Sequence, residues 1–103
     1  MFGLLIVTHK VMDYRTWKAV FDESEELRQQ YGQRNGWIGR SPEDANLVTE
    51  VLVCEDLNRA REFMNLPQLR DAMKRGGVEG EPKVCLLEQV AEVKAPAAVT
   101  AKC

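Results

Sequence analysis

The chain has 103 residues, 45% of them hydrophobic and 29% charged, which is the composition of a single soluble globular domain. Fourteen basic residues against sixteen acidic ones give a net charge of −2, and this balance argues against nucleic acid, which binds to a concentrated basic surface. No apolar run reaches the roughly 20 residues of a membrane span, and the first residues lack the charged leader and cleavage site of a signal peptide.

The three cysteines have no spacing typical of a metal site or a redox motif. Cys54 and Cys85 stand inside apolar runs, where cysteine behaves as a small hydrophobic residue, and Cys103 is the last residue. We therefore expect free thiols in the reducing cytoplasm and no metal site.

The first predicted element is a strand over residues 3–9, which are almost continuously apolar. Alternate side chains point to opposite faces, with Leu4, Ile6 and Thr8 on one face and Leu5, Val7 and His9 on the other. A strand that is apolar on both faces must be covered on both, and one layer of helices covers only one of them.

Residues 14–31 predict the longest amphipathic helix, with Asp13 as its N-cap and Gly32 as its terminator. At 100° per residue, its apolar positions fall within an arc of about 140°. These positions are Tyr14, Trp17, Val20, Phe21, Leu27 and Tyr31. Two polar residues, Ser24 and Arg28, interrupt the apolar stripe one turn apart.

The rest of the chain alternates between strands and helices. We predict strand two over residues 36–40, a turn over 41–46, strand three over 46–55, a helix over 57–65 capped by Asp56, a short helix from Pro67 to the glycines at 76 and 77, and strand four over 83–93. Residues 94–103 have no pattern and predict a loose C-terminal tail. Residues 1–93 therefore form a single domain.

This order of elements predicts an α+β fold of the ferredoxin-like, split βαβ type, with a four-stranded antiparallel sheet and helices on one face. The other face of the sheet is expected to be open, and the alternation in the strands makes it apolar. A large apolar surface on a monomer is typical of an interaction site. We therefore expect a homodimer that packs through the open sheet face.

Two further segments carry a resemblance to a known family. Residues 13–22 (DYRTWKAVFD) follow the apolar first strand, and residues 63–73 (FMNLPQLRDAM) are followed by two glycines and the last strand. Together with the order of elements, these segments resemble the dimeric α+β barrel superfamily, and within it small proteins of the antibiotic biosynthesis monooxygenase type. The resemblance covers residues 3–93.

The resemblance implies a dimeric α+β barrel built from two sheets, with a small-molecule pocket between the helices and the sheet of each subunit. Members include cofactor-independent oxygenases of aromatic polyketides, haem-degrading enzymes and small cyclases or isomerases. The haem-degrading members use an asparagine on the first strand and a histidine on a helix, whereas this chain has neither, and its only histidine is His9. The oxygenases surround the pocket with residue types that this chain carries at Asn65, Trp17, Arg28 and Tyr14, without a position-by-position match.

His9 and Arg28 are the candidate catalytic residues. Imidazole gains and loses a proton near neutral pH, so His9 can serve as a general base, the alternative being a histidine hydrogen-bonded at the strand end. A guanidinium on a buried stripe needs a partner or an anion. Arg28 can pair with Glu50 or Glu88, bind a carboxylate or an enolate of a ligand, or extend to solvent.

The candidate substrate-binding residues are mostly aromatic or apolar, which is typical both of a core and of the wall of a ligand pocket. They are Tyr14, Trp17, Phe21, Ser24, Trp37, Phe63 and Met64. No glycine-rich phosphate, flavin or nicotinamide motif is present, so no cofactor is expected.

The sequence thus predicts a small-molecule pocket protein, for which two hypotheses stand. The first is a cofactor-independent monooxygenase, cyclase or isomerase that acts on a small aromatic or enolisable substrate. In it His9 moves a proton and Arg28 stabilises negative charge. The second is a non-catalytic dimeric module that binds a ligand or a partner.

Overall fold

The computed structural model describes residues 2–94. Its strands are β1 Gly3–Val11, β2 Gln33–Arg40, β3 Leu47–Cys54 and β4 Val78–Glu88, and its helices are α1 Tyr14–Glu23, α2 Glu25–Gln30, α3 Leu57–Met64 and α4 Pro67–Arg75. None of the helices in this part of the chain is long and apolar enough to cross a membrane.

The four strands form one antiparallel sheet in the spatial order β2-β3-β1-β4. Strand β1 is central, with β3 on one side and β4 on the other. Each helix pair connects a strand to the next across the same face. This arrangement confirms the predicted α+β, ferredoxin-like fold.

Local signals in the sequence define the ends of the helices. The Asp13 carboxylate accepts from the amide of Thr16 at 3.0 Å at the start of α1, and Asp56 accepts from the amide of Asn58 at 2.7 Å at the start of α3. Gly32 follows the end of α2 with φ +77°, a conformation that glycine adopts without steric cost. These three predictions from the sequence are confirmed.

The prediction of a single helix over residues 14–31 is wrong. The structure has two helices here, α1 and α2, which are separated at Ser24. The Ser24 hydroxyl donates to the Val20 carbonyl at 3.0 Å, and side-chain bonds of this kind bend helices. The Phe21 carbonyl, which a continuous helix would pair with an amide four residues later, accepts instead from the Ser24 amide at 3.1 Å and from the Arg28 guanidinium. Arg28 therefore helps to cap α1 and links it to α2.

Strand β4 also differs from the prediction of residues 83–93, since it begins and ends earlier. Gly80 and Pro82 suggest a turn in the sequence, but both lie inside the strand, where its register with β1 shifts between Thr8 and Lys10. An edge strand tolerates a bulge that contains glycine and proline because one side of it needs no hydrogen-bond partners.

Beyond β4 the chain leaves the sheet. The amide of Gln89 donates to the carbonyl of Phe2 at 3.1 Å, and the following Val90 is 86% exposed. The predicted tail, residues 94–103, lies outside the described residues apart from its first residue.

The two faces of the sheet have different surroundings. On the covered face, side chains of β1 and β3 form the core with those of the helices: Leu5, Val7, Val11, Trp17, Val48, Leu52, Cys54, Ala60 and Phe63. The register places another set of mainly apolar side chains on what we call the open face: Leu4, Ile6, Trp37, Val51, Val53, Cys85 and Leu87. None of these side chains belongs to the core. They form the apolar open face that the sequence predicts.

Candidate active site

A cavity lies between the helices and the covered face of the sheet. Its wall is mostly apolar, and its polar lining residues are His9, Ser24, Arg28 and Glu50. The space between the atoms of the cavity, including its mouth, is about 490 Å³. The centres of water molecules can occupy about 40 Å³ of it. A concave apolar site with a few converging polar groups is the usual form of a ligand site.

Two buried ionisable side chains lie next to each other in this cavity. His9 is on β1 and Glu50 on β3, and both point to the covered face because Val7 lies directly opposite Glu50 in the register. His9 Nε2 is 3.4 Å from Glu50 Oε1, and the side chains are 1% and 11% exposed. The contact lacks hydrogen-bond geometry, and neither ring nitrogen of His9 has a partner among residues 2–94. Since an unpaired buried polar group is unfavourable, this pair is the strongest candidate for function.

An aromatic wall stands beside the pair. The His9 and Trp17 rings meet edge to face with centroids 5.4 Å apart, and Trp17 packs on Phe21 with centroids 5.1 Å apart. Trp17 and Phe21 are four residues apart on α1, so they share one side of the helix. The wall offers an apolar surface for a planar ligand.

Arg28 brings a positive charge to the edge of the cavity. Its guanidinium lies 3.7 Å above the centroid of the Phe21 ring and donates to the Phe21 carbonyl. It forms an ion pair with neither Glu50 nor Glu88. Burial lowers the pKa of Arg28, and the charges of Glu50 and Glu25 oppose that shift. A guanidinium nevertheless stays protonated in proteins.

The structure brings most of the predicted site residues together. The cavity lining includes His9, Trp17, Phe21, Ser24, Arg28, Phe63 and Met64. Tyr14 lies outside this lining, packed on Trp17 with centroids 5.9 Å apart and covered by the Arg40 guanidinium. Trp37 lies on the open face and is 66% exposed.

Other lining residues are not among those that the sequence singled out as site residues. Leu69 and Ala72 line the cavity from α4, and Glu50 lines it from β3, where the sequence suggested only a partner for Arg28. A signal for Glu50 does exist, because it interrupts the apolar alternation of β3.

No family model matches the sequence, and no curated protein does. Solved structures do match. A candidate antibiotic biosynthesis monooxygenase from Bordetella bronchiseptica superposes with a TM-score of 0.73 and 17% identity, covering 87% of this chain and 98% of that one. SnoaB, a cofactor-independent oxygenase from Streptomyces nogalater, superposes with a TM-score of 0.72 and 11% identity, covering 91% of this chain and 98% of that one. A candidate antibiotic biosynthesis monooxygenase from Caulobacter crescentus superposes with a TM-score of 0.68 and 14% identity, covering 87% of this chain and 91% of that one.

The chain has the fold of the antibiotic biosynthesis monooxygenases. This confirms the resemblance seen in residues 13–22 and 63–73. Matches at sequence identities of 11% to 17% show that the fold is shared and nothing about the activity. The function therefore has to be inferred from the cavity.

Proposed function

We propose that the protein is a cofactor-independent enzyme that removes a proton from a small aromatic or enolisable substrate, as the first step of a monooxygenase, cyclase or isomerase reaction. The single observation that supports this most strongly is the buried imidazole of His9 beside the buried carboxylate of Glu50. An imidazole is suited to proton transfer near neutral pH, and a site that excludes water strengthens the electrostatic interactions within it.

Three of the four polar lining residues and two aromatic residues of the cavity have a role in the proposed reaction. A ring nitrogen of His9 accepts the proton, and the Glu50 carboxylate, 3.4 Å from Nε2, stabilises the imidazolium that forms. Trp17 and Phe21 pack against the aromatic ring of the substrate. Arg28 supplies the positive charge that favours an anionic substrate.

In an oxygenase of this kind the deprotonated substrate itself reduces oxygen. Anthrone illustrates the balance: it loses a proton to become an anthracenolate, and one anthrone and one O₂ yield one anthraquinone and one water. The protein then has to supply only a base and a suitable electrostatic environment. The shared fold with SnoaB, a cofactor-independent oxygenase, supports this version of the proposal.

Two measurements test the proposal. Hydrogen–deuterium exchange of 2-tetralone, followed by NMR, reports the proton transfer, and oxygen uptake with anthrone reports the oxidation. We expect His9→Ala to lower both rates about 100-fold or more, since a general base contributes roughly 10²- to 10⁴-fold. Lys18→Gln, on the exposed side of α1, is the matched control. A folded His9→Ala variant with wild-type rates would contradict the proposal.

A non-catalytic binding module is the second candidate, because the centres of water molecules can occupy only about 40 Å³ of the cavity. In that case we expect 2-tetralone to shift the NMR signals of the His9 ring, while the protein does not exchange the protons of 2-tetralone for deuterium. Met64 and Met73 line the cavity, and their unbranched side chains can rearrange to admit a ligand under either candidate.

We further propose that the protein forms a homodimer through the open face and acts in the cytoplasm. Trp37 and Leu87 on this face are 66% and 43% exposed, and contiguous apolar surface is typical of an interface. Cys54 and Cys85 are both free thiols, which fits a reducing compartment.

A further inference from the structure

A second, polar recess adjoins the cavity on the side of α2. The centres of water molecules can occupy about 440 Å³ of it, and it is lined by Glu25, Arg28, Gln29, Gln33, Arg34 and Asn35. Arg28 lines both spaces. Its guanidinium therefore stands at the boundary between the apolar cavity and the polar recess.

Gln33 is the residue of this recess that the fold does not explain. It is 3% exposed, and neither its Nε2 nor its Oε1 has a hydrogen-bond partner in the described part of the chain. It lies opposite Cys54 in the register, on the covered face of the sheet. Native proteins rarely keep a buried amide unpaired, and Gln33 lines the recess, so its amide is a candidate partner for a ligand there.

The positive charge at the boundary is also available. A guanidinium has five N–H donors, and Arg28 uses one group, Nη1, for the Phe21 carbonyl. Stacking on Phe21 holds its plane in place. The other cation of the recess, Arg34, is paired with Glu55 at 2.9 Å, whereas Arg28 has no carboxylate partner within residues 2–94.

We propose that the substrate carries a carboxylate arm, which extends from the cavity into the recess and is bound there by Arg28 and by the Nε2 amide of Gln33. The proposal rests on the proposed function of the cavity, since the aromatic body of the same substrate occupies that space. A guanidinium binds a carboxylate through two parallel hydrogen bonds, which combine charge with geometric fit. Glu25 is the only carboxylate among the lining residues, and within residues 2–94 it forms no ion pair with Arg28.

A matched series of probes tests the arm. The probes are 4-(2-naphthyl)butanoate, its primary amide and 4-(2-naphthyl)butan-1-ol, with shorter acids to bracket the span, titrated against the full chain by NMR. We expect the carboxylate to bind roughly tenfold or more tightly than the alcohol, because a hydrogen bond to a charged group is worth more than a neutral one.

Two variants test which residues cause the tighter binding of the carboxylate probe. Arg28→Gln is expected to abolish the difference between the affinities for the carboxylate and the alcohol, because it lowers the affinity for the carboxylate much more than that for the alcohol. Gln33→Leu is expected to reduce the difference by a smaller factor and to raise the melting temperature. Arg34→Gln is the control, because it lines the same recess but removes a cation that is already paired with Glu55.

Three results would overturn the proposal. One is equal affinity of the wild-type protein for the carboxylate and the alcohol. Another is an equal loss of both affinities in Arg28→Gln, which would make Arg28 a part of the cavity wall. The third is a preference that Gln33→Leu leaves intact. Each of them leaves the proposed function standing as long as the wild-type protein catalyses 2-tetralone exchange and His9→Ala does not. Wild-type rates of exchange in His9→Ala would instead refute the proposed function.

Discussion

The two faces of the sheet reverse the usual distribution of polar and apolar groups. The covered face holds His9 and Glu50 within the core, whereas the open face carries Ile6, Val51 and the exposed Trp37. Buried charged groups and contiguous exposed apolar surface are the informative exceptions in a folded protein. This contrast is the basis for proposing chemistry on the covered face and association on the open face.

The largest expected effect comes from a charge at the centre of the open face. Ile6 lies between Val51 and Cys85 in the register, so Ile6→Lys would bury an unpaired ammonium in the proposed dimer. We expect the dimer dissociation constant to rise at least about 100-fold, measured by sedimentation equilibrium. Val90→Lys, beyond the end of β4, is the control. A wild-type protein that sediments as a monomer would refute the dimer.

The covered face is tested by removing its polar pair. We expect the double variant His9→Leu/Glu50→Leu to lose activity but to gain roughly 1–3 kcal/mol in its free energy of unfolding, since two poorly paired buried groups become apolar. Urea denaturation at one fixed protein concentration measures the change. The matched control is Thr8→Val/Thr49→Val, which replaces a pair on the opposite face whose hydroxyls are 2.9 Å apart. A less stable double variant would show that the His9–Glu50 pair is structural.

The two described cysteines compare the two faces directly, and here we expect smaller, kinetic effects. Burial raises the pKa of the Cys54 thiol, against a smaller opposing effect of the Leu5 backbone, so little of the reactive thiolate forms at pH 8. Cys85 lies on the open face and is exposed in a single subunit. We expect iodoacetamide to spare Cys54 in the native protein and to modify Cys85 about tenfold faster in Ile6→Lys than in the wild type.

Peptide mass spectrometry separates these two sites from Cys103, which lies outside the described residues. Equal rates for Cys85 in the wild type and in the dissociated variant would mean that the open face is uncovered in both.

The architecture is largely predictable from the sequence because short, almost continuously apolar runs predict strands that are covered on both faces. Residues 3–9 and 46–55 are such runs and correspond to β1 and β3. The start of β4 is harder to predict, since Gly80 and Pro82 have the composition of a turn and only the pairing with β1 shows that a bulge contains them.

The candidate site is predictable only in part. His9 and Arg28 stand out as polar residues at apolar positions, but the approach of His9 to Glu50 depends on the register between two strands. The break at Ser24 is likewise accompanied by a bond between Arg28 and the Phe21 carbonyl, which joins residues seven positions apart in the chain. Gln33 precedes the predicted second strand, so its burial has no local signal.

The smallest expected effect concerns the helix cap Asp13, which lies on the exposed surface and belongs to neither face of the sheet. Hydrogen bonds from the backbone amide and then the hydroxyl of Thr16 lower the pKa of Asp13 below its ordinary 3.8. The folded state therefore holds this proton more weakly than the unfolded state, so the stabilisation is complete above pH 3.8 and is lost as the pH falls through the lower, folded pKa. Asparagine caps a helix without titrating. We therefore expect Asp13→Asn to melt near the wild-type temperature at pH 6 and to lose less of it on acidification to pH 2, measured by circular dichroism. An identical acid dependence in both proteins would mean that the cap contributes nothing, and that the acid sensitivity of the molecule arises at other carboxylates.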